Sequence, residues 1–247
     1  MGHSELPFFY LGAYWGMREQ TLDDVAGDIS ATVRALGEAH PALRSWWWED
    51  RAAPVDPDSQ WLRDELEAAR RRDGDGEPSA GDGYSVSFHN EPFPDYHSGP
   101  GSETKVKLSF FAGESGTPRL SNNCVLTLPA PKRAPQGLYD LQSLKLALHW
   151  MADIWRPDHA LCVNTPLADA QGDWMKVSPQ VGWITYLGPK YTDGIERAEL
   201  PHGVQAAARA DGALLWFPLP AADVAPRMVV DLREALVAAG CLPAGNG

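Results

Sequence analysis

The sequence predicts an α+β fold, in which an antiparallel or mixed β-sheet is flanked by helices. Segments with strand-like patterns outnumber segments with helical spacing, and their predicted order is βααβββαββββα. Groups of adjacent strands separated by single helices are typical of α+β proteins. With 247 residues, 44% of them hydrophobic and 22% charged, the chain can bury a large core without disulfides or metals.

The chain begins with a predicted strand and a predicted helix. Residues 8–15 are an aromatic and aliphatic run, which indicates a strand buried on both faces. Thr21 and Asp24 then have a spacing close to that of a capping box at a helix N-terminus. Apolar residues follow at helical spacing, and Gly37 and Pro41 end the helix.

Residues 43–83 combine a tryptophan cluster, a helix and an acidic segment. Residues 46–48 are three consecutive tryptophans, and neighbouring side chains point in different directions, so at least one should be partly exposed or cover another element. A second helix is predicted from Asp58 to the three arginines at 70–72. Residues 73–83 are rich in glycine and aspartate and predict a flexible loop or linker. We expect a single globular domain over residues 1–247, which could divide near this segment.

The rest of the chain predicts the remaining sheet and two further helices. Alternating apolar residues at 84–90 and 105–111 indicate two half-buried antiparallel strands, followed by a third at 123–128. Apolar residues at helical spacing over 138–155 indicate a helix that ends before Pro157. Further strands are predicted at 160–163 and 182–187, a hairpin at 204–217 around Asp211-Gly212, and a final helix at 224–239.

The net charge of −12 resides entirely in the first 104 residues. That part holds 20 Asp and Glu against 8 Lys and Arg, whereas residues 105–247 hold 13 of each. An acidic field on one side repels nucleic acid and attracts basic protein surfaces. The charge therefore argues against direct nucleic-acid binding and favours a basic protein partner, although it could serve solubility alone.

The cysteines and apolar segments indicate a cytoplasmic protein. Cys124, Cys162 and Cys241 cannot all pair within one chain, and none forms a CxxC motif, which is typical of a reducing compartment. The N-terminus lacks the basic region and cleavage site of a signal peptide. No apolar run approaches the ~18–20 residues of a membrane helix, so we expect no membrane partner.

No complete catalytic motif is present, and we expect no catalytic residues, no cofactor and no metal. His89 and His97, with Asp95 between them, could reach one metal ion from a loop. The alternative to a binding protein is therefore a small hydrolase or metal-dependent enzyme with a site around His89 and His97. Residues 73–77 have the composition of half an EF-hand loop, but the bidentate glutamate of that motif is missing.

Three aromatic segments carry a family resemblance. They are FYLGAYWGMRE at 9–19, the tryptophans at 46–48 and GWITYL at 182–187. In this order they resemble the immunity protein 52 family of bacterial polymorphic-toxin systems, from about residue 8 to about residue 240. The resemblance implies a cytosolic antidote that binds a cognate toxin made by the same cell. It also implies that the toxin is a nuclease of restriction-endonuclease fold.

Two groups of residues are the candidates for toxin contact. The first is Trp47, Trp48, Glu49 and Asp50, and the second is Asp73, Asp75, Glu77 and Asp82. Aromatic side chains rimmed by carboxylates could fill the basic cleft of a nuclease. The alternative is that the first group packs at an edge of the fold and the second belongs to a solvated loop. The motif aromatics Tyr14, Trp15, Trp183 and Tyr186 are expected in the core.

Overall fold

A computed structural model of the protein describes residues 8–49, 53–57, 60–70, 75, 77, 81, 83–91, 105–116, 122–172 and 179–244. The strands are β1 (Phe9–Trp15), β2 (Trp47–Trp48), β3 (Tyr84–His89), β4 (Lys107–Ala112), β5 (Asn122–Thr127), β6 (His159–Asn164), β7 (Ile184–Leu187), β8 (Gln205–Arg209) and β9 (Gly212–Trp216). The helices are α1 (Leu22–Ala39), α2 (Gln60–Ala68), α3 (Leu141–Trp155), α4 (Thr165–Asp169) and α5 (Pro226–Ala238). Within the described ranges, none of the helices combines the length and apolar character that crossing a bilayer requires.

These strands form one sheet in the order β2-β3-β4-β5-β1-β6-β7-β9-β8, and every neighbouring pair is antiparallel. The predicted α+β class is confirmed, and of the two expected sheet types the antiparallel one is observed. The hairpin predicted around Asp211-Gly212 is confirmed by the pairing of β8 with β9. The two short elements β2 and α4 were not predicted, because two to five residues are too few for a periodic pattern.

Strand β1 lies in the middle of the sheet, between β5 and β6. Phe9, Leu11, Ala13 and Trp15 are buried on one face, where Trp15 stacks on Trp155 of α3 with ring centroids 5.0 Å apart. The expectation that β1 is buried on both faces is wrong, because the tyrosines at positions 10 and 14 are only half-buried. The strand therefore has one core face and one partly exposed face.

The turn after β1 ties the first strand to the end of α3. Arg18 donates hydrogen bonds to the carbonyl oxygens of Trp155 (2.7 Å) and Arg156 (2.9 Å). These carbonyls end the helix, where a cation is favourable to the helix dipole. Helix α1 then begins with the predicted capping box, in which Thr21 accepts from the Asp24 amide and Asp24 accepts from the Thr21 amide.

The GWITYL segment packs into the core beside β6. Trp183 is fully buried, and its indole N–H donates to the carbonyl oxygens of Phe217 and Leu219, both at 3.1 Å. A Cβ atom on Gly182 would lie 2.2 Å from the Cys162 carbonyl oxygen, so only glycine permits this approach. The expected burial of Trp15, Trp183 and Tyr186 is confirmed, whereas Tyr14 is only half-buried.

This close approach predicts the effect of two glycine substitutions. Gly182→Ala should destabilise the fold by ~1–3 kcal/mol, because backbone atoms must move to admit the methyl group. Gly27→Ala is the matched control, since a Cβ atom on Gly27 meets nothing within 4 Å. Gly27 lies inside α1, so alanine there should stabilise the protein by ~0.5–1 kcal/mol. Chemical unfolding of both variants measures the difference, and equal stabilities would contradict the packing described here.

Candidate functional site

The two faces of the sheet are covered unequally. Directly opposed residues of antiparallel strands share a face, so the register identifies each face. The face that carries Trp15 is buried from β3 to β7 except at Val86, which is half-buried. On the opposite face, β6, β7 and β9 contribute buried residues, among them Leu161, Thr185 and Leu215. The other half of this second face, from β2 to β1, consists of half-buried and exposed side chains.

We call this half the open face. One row of register partners crosses it from Trp47 through His89, Lys107 and Thr127 to Tyr10. The neighbouring rows contribute Ser85, Ser87, Ser109, Phe111, Asn123, Val125 and Tyr14. The open face therefore combines aromatic rings with polar side chains over five hydrogen-bonded strands, whose other face packs on the core.

The three consecutive tryptophans alternate in burial, as strand geometry requires. Trp46 and Trp48 are 2% and 3% exposed, whereas Trp47 is half-buried on the open face. Trp48 packs edge-on against Trp61 and Phe88, with both centroid distances at 5.0 Å. The expectation that at least one tryptophan is partly exposed is confirmed. Of the two tryptophans expected to contact a partner, Trp47 is accessible and Trp48 belongs to the core.

Glu49 is the centre of a polar cluster at the edge of the open face. Its Oε1 lies 2.6 Å from Lys107 Nζ and 3.7 Å from His89 Nε2. The Glu49 amide donates to the Ser87 carbonyl, and the Ser87 hydroxyl donates to the Ser109 hydroxyl at 2.9 Å. The sequence identified Glu49 but not Lys107, because 58 residues separate two side chains that only the pairing of β2, β3 and β4 brings together.

The charges of this cluster compensate one another at neutral pH. Burial by itself would raise the pKa of Glu49, but the hydrogen bond and positive charge of Lys107 outweigh it and hold that pKa below its ordinary value. Burial lowers the pKa of His89, and Lys107 and Lys105 lower it further against the opposing effect of Glu49. Glu49 is thus ionised beside a cation. Its charge is partly compensated by Lys107, so it adds less to the acidic field of residues 1–104 than an unpaired carboxylate would.

The other candidate residues are placed only in part. Asp75 and Glu77 are described and exposed. Asp50, Asp73 and Asp82 lie outside the described residues, and so do His97 and Asp95 of the alternative metal site. In the part of the chain that the structure describes, no three His, Cys, Asp or Glu side chains are arranged to hold a metal ion.

His159 borders the open face on β6 and lies between two tyrosines. Its ring stacks on Tyr14 at 5.2 Å and contacts Tyr191 edge-on at 6.3 Å. Burial lowers the pKa of His159 from 6.5 to about 4, with Asp158 opposing the shift and Lys190 adding to it. The imidazole is therefore neutral in the folded protein at any pH well above 4.

This shift predicts how stability depends on pH. The unfolded chain binds a proton at His159 below pH 6.5, whereas the folded chain binds it only near pH 4. The stability that the neutral ring provides is therefore complete above pH 6.5 and is lost as the pH falls towards 4. His159→Phe keeps the ring packing but cannot titrate, so its free energy of unfolding should fall less than that of the wild type between pH 7 and 4.5. Denaturant unfolding at both pH values tests this, and identical losses would contradict it.

Comparisons with known proteins identify relatives of this fold. The solved structure of Pseudomonas aeruginosa T6SS protein PA0821 matches 94% of this chain and 76% of its own, with a TM-score of 0.53 and 16% sequence identity. At that identity the match establishes a shared fold alone. A comparison with curated proteins finds no match. The family model for immunity protein 52 matches residues 7–217, which include β1, the tryptophan cluster and GWITYL. The chain therefore belongs to the immunity protein 52 family.

Proposed function

We propose that this protein is an antidote that binds and neutralises a cognate toxin by stoichiometric contact, without catalysis. The observation that carries the proposal is the family match over residues 7–217, which supports an immunity-type function. The finer parts are our inference: that the toxin is a nuclease of restriction-endonuclease fold, and that the complex forms in the cytoplasm during competition between bacteria. No nucleic acid takes part directly, since the acidic half of the chain repels it.

The open face supports binding by a protein surface. Trp47, Phe111, Tyr10 and Tyr14 are aromatic side chains that are only partly covered. Aromatic residues of this kind provide the largest contributions at protein interfaces. Strands β1 and β4 are paired on both sides, and the edge strand β2 is paired with β3, so little backbone ordering is needed on binding.

The acidic half of the chain supports a basic partner. A nuclease carries a cationic groove for the phosphate backbone, and opposite charges accelerate the encounter of two proteins. Asp75 and Glu77 are exposed and belong to the part of the chain that holds the net charge of −12. We propose that they, with Asp50, Asp73 and Asp82, guide the toxin towards the open face.

The first test asks whether the open face binds the toxin. The chain is co-expressed with the toxin domain encoded beside it, and survival and co-purification are measured. We expect protection and a complex of fixed stoichiometry, and Trp47→Ala should weaken the complex at least tenfold because it removes a large aromatic contact. Leu219→Ala is the control, since Leu219 is 37% exposed and not part of the open face. Absence of both complex and protection would overturn the proposed function.

The second test separates steering from solubility. Asp75→Lys with Glu77→Lys should lower the association rate several-fold at low salt and leave the dissociation rate unchanged, and the effect should fade at high salt. Glu196→Lys with Glu199→Lys makes the same change in net charge from exposed residues in the neutral half. If both double variants associate equally fast, the position of the acidic residues is irrelevant and the charge serves solubility. Stopped-flow or surface-binding kinetics provides the rates.

A further inference from the structure

A cavity of about 520 Å³ lies beside Trp47, between α1 and the segment that follows β2. Its apolar wall includes Val33, Trp46, Trp47, Pro54, Val55 and Pro57. A volume of this size accommodates one or two large side chains, and apolar walls with a few polar groups are typical of pockets that bind ligands or anchor residues.

Hydrogen bonds hold the segment that follows β2 in place, both against β2 and against α1. Val55 donates its amide to the Trp46 carbonyl at 2.8 Å, and Trp48 donates its amide to the Ala53 carbonyl at 3.1 Å. The Pro57 carbonyl accepts from the Ser30 hydroxyl, which joins the segment to α1. The cavity is thus preformed, so an incoming side chain would not have to open it.

Two arginines line this cavity within the acidic half of the chain. Arg34 lies on α1, and Arg44 follows the helix and donates its Nε–H to the Gly37 carbonyl at 3.3 Å. Glu38 also lines the cavity and, like both arginines, is exposed. The bond to Gly37 uses the Nε–H of Arg44 and holds its guanidinium beside the apolar wall. Among the described residues, the Nη groups of Arg44 are the donors left for an incoming carboxylate.

We infer that this cavity is an anchor site that receives a side chain of the cognate toxin, in which a bulky apolar residue lies next to a carboxylate. The apolar side chain would pack against Trp47 and Pro54, and the carboxylate would pair with Arg44, whose guanidinium suits the planar carboxylate geometry. The inference rests on the proposed function, because the toxin is the partner. The sequence predicted that aromatic side chains of this protein fill a cleft of the toxin. At this cavity, by contrast, a side chain of the toxin inserts into this protein.

Charge reversal at the rim tests the inference. Arg44→Glu should weaken toxin binding at least tenfold, whereas Arg44→Lys should restore part of the affinity. Arg63→Glu is the matched control: it makes the same change in net charge in the same half of the chain, and Arg63 is paired with Asp23 and does not line the cavity. If only the net negative charge of the protein governs binding, Arg44→Glu and Arg63→Glu should both bind a basic toxin at least as tightly as the wild type does. That result would overturn the inference.

A second measurement identifies the occupant. Ser45 lines the cavity and is exposed, whereas the native cysteines are buried, so Ser45→Cys can carry a photo-crosslinker in the assembled complex. We expect crosslinks to a toxin peptide that contains Asp or Glu beside a large apolar residue. Crosslinks to a second copy of this chain, or to a basic toxin peptide without a carboxylate, would overturn the inference. If the wild type binds the toxin and Arg44→Glu binds it equally tightly, only the anchor site is refuted. If the wild type forms no complex, the proposed function itself is refuted.

Discussion

The alternation of side chains along β1 decides how the rest of the protein is built. The strand is hydrogen-bonded on both sides, so its register with β5 and β6 assigns each residue of the central sheet to one face. Leu11, Ala13 and Trp15 require a hydrophobic cover, and α3, which packs in turn against α1, contributes to it. The face of Tyr10 and Tyr14 is left half-covered, and tyrosine suits such a position because it combines an apolar ring with a polar hydroxyl.

This division separates the residues that stabilise the fold from those available to a partner. Trp48 and Trp47 are consecutive, yet the first packs on Phe88 in the core and the second lies on the open face. The family motifs are explained mostly by the first role, since Arg18 holds the end of α3 and Gly182 allows the chain to approach β6. Arg18 and Gly182 of these motifs are thus structural, and the open face lies beside them.

The net charge of the acidic half does not describe its local electrostatics, because positive side chains lie at particular places within or against it. The carboxylate of Glu49 is held by Lys107, and the cavity beside Trp47 is lined by Arg34 and Arg44. Both places lie in or against the half of the chain that carries −12. A long-range acidic field and local cations have different physical effects: the field changes the rate of encounter, whereas a cation at an apolar cavity selects the group that can be desolvated there.

By itself, the sequence determined the fold class, most of the strands and helices, the capping box at Thr21 and the family, because local periodicity and short motifs encode these features. It also singled out Trp47 and Glu49. Only the tertiary structure decided that Lys107 meets Glu49 and that the two arginines meet at one cavity. The contact between Lys107 and Glu49 depends on strand register, and the cavity depends on the segment after β2 being held against α1. Neither relation leaves a pattern in the local sequence.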